Sequence, residues 1–371
     1  MPNPLIQAIS LYQLQIPLLE PFVISLGPHT HAHNVVVRLR TADGREGFGE
    51  CSPFPTINGE TADTCWVVGQ ALARALKGHD ARDLPGALAR MDRLIYANNS
   101  IKSAFDMALH DLAAQFAGLP LYAFLGGKND KALTTDMTVS LGPPEEMRAQ
   151  AVRFQGQGFP AIKVKLGGSL EDDVARMRAI RAGIGPDLPL RIDANQGWDT
   201  AAHALDVLRA LAEFNIEHCE EPIARHRLLE LAGVSAASPI PIMADEMCGD
   251  DHDAARLIAL RACPMFNLKL GKSGGFGRAR RMVALAAAAG LTMQVGGFLE
   301  SRLGMTAAAH LALLHPAIHH CDLDPPLMFS ADPVVGGLRY GPGGTLTLPT
   351  GPGLGARFDE AWLRAAPQWE A

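Results

Sequence analysis

Beyond about residue 130 the chain repeats one theme: a short apolar segment ends on a polar or small residue, and an Ala/Leu/Arg-rich helical stretch follows. The segment ends fall at Ser140, Lys165, Asp193, Glu220, Asp245, Lys269, Gly296 and Asp322, at intervals of 25, 28, 27, 25, 24, 27 and 26 residues. Each interval accommodates one strand and one helix, and strands alternating with helices imply a parallel sheet. A solenoid would also repeat at this length, but no leucine-rich or ankyrin consensus occurs. Eight strands with reactive residues at their C-terminal ends fit a TIM barrel, whose active site lies at that face.

The N-terminal part reads differently. ISLYQLQIPL and VVVRLR, then an Asp-Gly turn and REGFGEC, predict an antiparallel sheet. Helices are predicted in ADTCWVVGQALARALKG, ALARMDRLIYA and IKSAFDMALHDLAAQFAG, the last closed by Gly-Leu-Pro. We read this part as a cap on the barrel, within the α/β class. The 371 residues, 48% of them apolar, suffice for a barrel with such an addition.

Composition removes several function classes. A formal net charge of -6 without any lysine or arginine block argues against nucleic-acid or membrane partners. Cys51, Cys65, Cys219, Cys248, Cys263 and Cys321 are scattered without a C-x-x-C pair, which points to a reducing compartment rather than disulfides or a zinc knuckle. Residues 1–20 hold no basic residue, against a signal peptide, and no apolar run reaches membrane-span length. The expectation is a cytoplasmic enzyme.

Chemistry concentrates at the strand ends. In AIKVKLGG, Ile162 and Val164 face one way and Lys163 and Lys165 the other. Two ammonium groups on one face are expected to depress each other's pKa, as a lysine base requires. Asp193 (RIDAN), Glu220 (HCEEP) and Asp245 (IMADE) end three successive strands. Singly, each acid reads as a helix cap or surface residue. Converging, they require a cation, and oxygen ligands with room for water suit Mg²⁺. The alternation leaves Glu221 and Glu246 as alternatives. Lys269 (FNLKLGKSGG) lies across the three acids from Lys165 in strand order. One lysine on each side of a metal-bound substrate suggests proton removal from one face and delivery to the other, with the metal stabilising an enediolate.

Together, K-x-K (Lys163, Lys165), D-A-N (Asp193), E-E-P (Glu220), A-D-E (Asp245) and N-L-K…G-G (Lys269) resemble the enolase superfamily, in its muconate-lactonizing-enzyme-like subgroup. The resemblance covers nearly the whole chain. It implies an α+β capping domain over residues 1–125, completed by about 340–371, and a modified (β/α)₇β barrel over 126–339. It also implies one Mg²⁺ per subunit on Asp193, Glu220 and Asp245, with Lys165 and Lys269 as acid/base pair and Lys163 neutralising the substrate carboxylate. Asn195, Glu246 and Glu300 are expected in supporting roles, Thr138 and Gly297 at the substrate, and the chain in a homo-oligomer.

Within that subgroup the reaction turns on CDLDPP, residues 321–326. In an extended segment Asp322 and Asp324 share a face, and adjacent like charges call for a cation. D-x-D-x-P on the last barrel strand resembles the dipeptide epimerases, which implies that the two aspartates bind a dipeptide's N-terminal ammonium. The C-terminal carboxylate would sit on the metal while that residue's α-carbon inverts. The bland alternative pairs both acids with protein cations, or has them cap the next segment. Muconate-type cycloisomerases, o-succinylbenzoate synthases and N-acylamino acid racemases handle substrates with no free ammonium. A metal-dependent amidohydrolase is the rival from another class.

The loop PFVISLGPHTHAHN tempers the substrate. Members selective for Ala-Glu resemble one another in an arginine near residue 27; Gly27 stands there instead, and no basic side chain of lysine or arginine precedes Arg38. An uncharged or hydrophobic C-terminal residue is therefore expected. His29, His31 and His33 share a face if extended; an H-x-H pair suits an amidohydrolase metal centre, but it precedes the first barrel strand by about a hundred residues. In SPFPTINGET, Thr56 and Asn58 are candidate substrate contacts on a loop that could close over the site. Neither a dinucleotide fingerprint nor a G-x-S-x-G elbow occurs.

Overall fold

The structure is a computed structural model that describes residues 3–371. Its cap is built on an antiparallel meander of β1 (Ile6–Ile24), β2 (Gly27–Thr41) and β3 (Glu46–Cys51), joined on the far side of β1 by the final strand, Gln368–Glu370. Strand period explains how β2 is buried on both faces. Val35, Val37 and Leu39 pack on the cap helices, while Val36 joins Tyr12, Leu14 and Phe48 against the barrel. The helices are α1 (Ala62–Leu76), α2 (Leu84–Leu94) and α3 (Asn99–Ala117). Thr61 and Thr64 close α1 with a reciprocal capping box. Helix α3 is buried without a break from Ser100 to Ala114, and it crosses β3 so closely that a Cβ at Gly47 or Gly49 would overlap the Ala108 or Ala104 carbonyl.

The barrel strands are β4 (Met137–Val139), β5 (Ile162–Lys165), β6 (Leu190–Asp193), β7 (Ile216–Glu220), β8 (Ile242–Ala244), β9 (Met265–Leu268), β10 (Thr292–Gly296) and β11 (Ile318–Asp322). They form one parallel sheet whose spatial order is the order of sequence. Every strand end inferred from the repeat falls on the last residue of a strand or the one after it. Seven helices separate the strands: α4 (Pro144–Gly156), α5 (Leu170–Ile184), α6 (Ala201–Leu211), α7 (Leu228–Ala237), α8 (Asp251–Ala259), α9 (Phe276–Ala288) and α10 (Arg302–Ala312). This is the (β/α)₇β arrangement.

Closure is incomplete between β4 and β11. They share an isolated bridge, Thr135 with Cys321. Side chains then replace the ladder: Leu323 N donates to Thr135 Oγ1 at 2.8 Å, and Thr138 N donates to Asp324 Oδ2 at 2.7 Å.

Buried acids of the cap fasten it to barrel helix N-termini, where free N–H groups favour an anion. Asp106 of α3 accepts from Phe276 N (2.5 Å) and Gly277 N (3.4 Å) at the start of α9. Glu50 of β3 accepts from Ser301 N (2.9 Å) and Gly304 N (3.0 Å) at the start of α10. The segment read as a loop around Gly27 is instead the β1–β2 hairpin, with His29, His31 and His33 on β2. Its turn holds Gly27 at φ +125°, a conformation that an arginine would adopt only under strain. No helix among the described residues is long and apolar enough to cross a membrane, and the six cysteines are free and buried.

Candidate active site

The parallel register sets the polar side chains at one level, with Lys165 opposite Asp193 and Asp193 opposite Glu220. Asp193, Glu220 and Asp245 have no exposed surface. Lys163 Nζ donates to Glu220 Oε2 at 2.8 Å and lies 3.2 Å from Asp193 Oδ2. Lys165 Nζ donates to Asp193 Oδ2 at 2.6 Å. From the other side, Lys269 Nζ donates to Asp245 Oδ2 at 2.7 Å and lies 4.0 Å from Glu220 Oε1.

These contacts overturn one electrostatic expectation. Lys163 is not depressed by its neighbouring lysine. Burial does act to lower its pKa, but Asp322, Glu220, Asp193 and Asp136 outweigh it and hold the group well above the ordinary value. Lys269 is likewise raised, with burial opposed by Asp245 and Glu220. Burial also acts against the Asp193 carboxylate, yet Lys165 and Lys163 pull its pKa down to about 2. Glu220 goes the other way, up to about 7, through burial and its proximity to Asp193.

The two alternative acids turn elsewhere. Glu221, at φ +39°, accepts from Asp245 N at 2.7 Å and so braces the end of β8. Glu246 accepts from Asn195 Nδ2 at 3.2 Å, behind the three acids. Burial, Asp245 and Asp193 raise it to about 8. Glu300 accepts from Phe298 N at 2.6 Å and is raised to about 7 by burial and Glu50. Asn195 N donates to Asp193 Oδ1 at 2.8 Å.

Asp322 and Asp324 reach the site by different routes. The strand stops at Asp322; Asp324 is helical, at φ -82° and ψ -14°, so the shared face of an extended segment does not apply. Both carboxylates nevertheless line one small cavity, about 40 Å³, with Lys165, Lys269, Thr138, Asn195 and Gly297. Asp322 takes a protein cation, Lys163 Nζ at 2.7 Å. The bland alternative is thus realised for that residue. Asp324 takes the Thr138 N–H, and its pKa is pushed well up by burial, Asp322 and Asp136.

The end of β1 (Phe22, Ile24) and the loop after β3 (Phe54, Ile57) roof this cavity and meet Phe298 and Leu299 of the barrel. Lys165 Nζ lies 5.8 Å from the centre of the Phe22 ring, and Lys269 Nζ 5.0 Å from that of Phe298. Thr56 and Asn58 are not among the cavity walls. Thr56 is exposed and gives its carbonyl to Arg225 at 3.0 Å. Asn58 Oδ1 accepts from Phe54 N and Glu60 N, shaping the turn that turns Phe54 and Ile57 inward. The histidines line another cavity of about 850 Å³ on the far side of Phe54 and Leu299, with His29 against Phe54 at 4.4 Å.

Beyond the roof, three polar residues around the acids were not anticipated. Asn267 Nδ2 and Gln294 Nε2 donate to Glu220 at 2.8 and 3.2 Å. Lys272 Nζ donates to the Asp245 carbonyl (2.5 Å), to Asp245 Oδ1 and to the Asn267 carbonyl (2.9 Å), which exhausts its three protons.

The all-oxygen donors fit a hard divalent cation such as Mg²⁺. Buried oxygens of Asn195, Glu246, Asn267 and Gln294 around the three acids also lack any hydrogen-bond donor. Among the described residues, a different trio brings its ligand atoms within 4.8 Å of one another: Glu217, His218 and His320, lower in the barrel. That trio already holds a cation, since Arg191 donates to Glu217 at 2.8 Å and meets His320 Nδ1 at 2.9 Å.

Residues 8–126 match the mandelate racemase / muconate lactonizing enzyme N-terminal domain, and residues 146–362 the enolase C-terminal domain-like family. The chain belongs to the mandelate racemase/muconate lactonizing enzyme family of the enolase superfamily. Relatives in this family include the D-Ala-D/L-Ala epimerase of Cytophaga hutchinsonii, 52% identical over 97% of each chain. The L-Ala-D/L-Glu epimerase of Clostridium acetobutylicum is 37% identical, covering 95% of this chain and 98% of the relative. A crystal structure of the Cytophaga hutchinsonii dipeptide epimerase with Mg and D-Ala-L-Val superposes with a TM-score of 0.98, at 51% identity and 99% coverage of both chains.

Proposed function

We propose that the protein is a Mg²⁺-dependent dipeptide epimerase that inverts the α-carbon of a C-terminal residue by moving its proton between Lys165 and Lys269. The observation that carries this reading is the single cavity lined by both lysines together with Asp322 and Asp324. Mg²⁺ on Asp193, Glu220 and Asp245 would supply the positive charge that acidifies a proton beside a carboxylate. Lys163, kept protonated by its acidic neighbours, adds countercharge for the substrate carboxylate. Lys165 and Lys269 approach the α-carbon from opposite sides, one taking the proton and the other returning one. The substrate's ammonium lies at Asp324 and Asp322, and the aromatic roof excludes water.

The apolar walls, with no cation beyond the lysines, support a small uncharged C-terminal side chain. An unpaired acidic side chain buried there would cost several kcal/mol. The names of the Cytophaga relative and of its D-Ala-L-Val complex support the same choice. We also divide the chain into a cap, residues 1–125 with 340–371, and a barrel, residues 126–339. An apolar cluster confined to the cap strands and helices, with Trp369 packed against it, and the pairing of Gln368–Glu370 with β1 support the cap and its completion by the chain's end, while Leu346, Leu348, Leu354 and Phe358 pack in the barrel's cluster. The free, buried thiols support a reducing, cytoplasmic setting.

Proton NMR in D₂O with Mg²⁺ and Ala-Ala tests the reading. The C-terminal α-proton should exchange in both diastereomers as they interconvert. Lys165→Ala and Lys269→Ala should each abolish interconversion while keeping exchange in opposite diastereomers. Release of free alanine would point to an amidohydrolase, and the absence of exchange with every dipeptide class would refute the epimerase.

A further inference from the structure

The seam between β4 and β11 has a consequence for the substrate's other end. Strands that zip together leave no gap, but here the ladder stops at Thr135 and Cys321, below the level of the site. Above it the strands are held through the Asp324 side chain on Thr138 N. Directly outside this splayed seam lies a second cavity of about 540 Å³, between α4, the cap segment around Glu20 and the residues 340–344. Phe22, Thr138 and Met328 line both this cavity and the small one with the lysines, so the two adjoin at the seam.

We propose that the outer cavity is the subsite for the N-terminal side chain, and that the enzyme accepts dipeptides whose N-terminal residue is large and uncharged. This rests on the epimerase reading and extends it. An ammonium bound at Asp324 fixes the N-terminal α-carbon at the seam, one bond away, so its side chain enters whichever space adjoins there. That space is more than ten times the volume of the inner cavity. Its walls combine apolar surface (Met137, Phe154, Phe159) with neutral polar groups (Ser140, Gln150, Gln157). The charges at its rim, Glu20 and Arg153, are spent on each other at 3.2 Å, leaving none to favour a charged residue. The C-terminal side chain, by contrast, meets the apolar roof of Phe22, Ile24, Phe54 and Ile57. Selectivity is therefore asymmetric: strict at the residue that is inverted and broad at its neighbour.

The test is kcat/KM for two dipeptide series on the Mg²⁺-loaded enzyme. Leu-Ala, Phe-Ala and Gln-Ala should fall within about tenfold of Ala-Ala, whereas Ala-Phe should fall at least about a hundredfold below it. Gln150→Trp, which fills the outer cavity, should lower the Phe-Ala to Ala-Ala ratio by about tenfold or more. Turnover of Ala-Ala with Phe-Ala rejected as strongly as Ala-Phe would overturn the subsite and leave the epimerase standing. An unchanged ratio in a folded Gln150→Trp would also overturn it. No α-proton exchange with any dipeptide would remove the epimerase reading and the subsite together.

Discussion

Asp324→Asn separates the ammonium reading from a structural role for the second aspartate. Asp324 is 2% exposed and is hydrogen-bonded to the Thr138 N–H, but among the described residues to no lysine or arginine, whereas Asp322 holds Lys163. Its charge is disfavoured by burial, by Asp322 and by Asp136, which outweigh the hydrogen bond from Thr138. A substrate ammonium reverses the balance. Removing one partner of a buried charge pair costs about 2–5 kcal/mol. At about 1.4 kcal/mol per factor of ten, the loss in kcat/KM is about 30-fold to several thousandfold. Asparagine keeps the shape, and its oxygen can still accept from Thr138 N. Removing a buried like charge should leave the melting temperature unchanged or higher, the usual sign of a site held at the expense of stability. The assay compares Ala-Ala with N-acetyl-Ala-Ala by α-proton exchange in D₂O. The free dipeptide should lose most of its kcat/KM, and the acetylated one should change little. Equal losses on both substrates, or a lower melting temperature that accounts for both, would refute the ammonium role.

Other perturbations follow from single contacts. Lys272→Met should weaken Mg²⁺ binding by about tenfold or more in calorimetry, because Asp245 loses its brace; losing a nearby positive charge alone would tighten binding, so a lower Kd would refute a positioning role. Chelation of Mg²⁺ should abolish epimerisation, and restoring it to about 100 times its Kd should stabilise the fold by about 2.7 kcal/mol, read as a rise in melting temperature. His310 is buried and neutral, accepting from Tyr122 N at 3.0 Å through Nδ1, and burial lowers its pKa to about 4. Since the unfolded chain takes up that proton near pH 6.5 and the folded one near 4, stability should fall by about 3 kcal/mol as pH drops through that window. His310→Gln should flatten that dependence in denaturant titrations, and an unaltered slope would assign it elsewhere.

What the sequence revealed and what it hid have separate physical causes. A βα barrel imposes a fixed chain length per unit and places every strand's C-terminal end on one face, so Lys165, Asp193, Glu220, Asp245 and Lys269 could be aligned by counting. Strand alternation also fixed which way Lys163 and Lys165 face. Asn267 and Gln294 obey the same parity as Lys269 and Gly296, but neutral amides carry no charge to flag them. Lys272 sits in a short helical turn after the strand, where a strand's period no longer applies. The roof was harder still. Phe22, Phe54 and Ile57 come from cap segments with no period linking them to the barrel, and in the 52–61 loop polarity marks Thr56 and Asn58 as contacts while it is the apolar residues that turn inward. The expected depression of Lys163 failed because a lysine pair was considered without its surroundings: the acids proposed to hold the metal also converge on Lys163. Asp322 and Asp324 show the same lesson from the opposite side. Their spacing suggested one shared task, but the strand ends between them, so Asp322 is drawn to the lysine inside the barrel and Asp324 to the open seam. Under the proposed reading the ammonium sits at both acids, and Asp324, which pairs with no lysine or arginine among the described residues, supplies beside the seam the carboxylate that Lys163 does not already share.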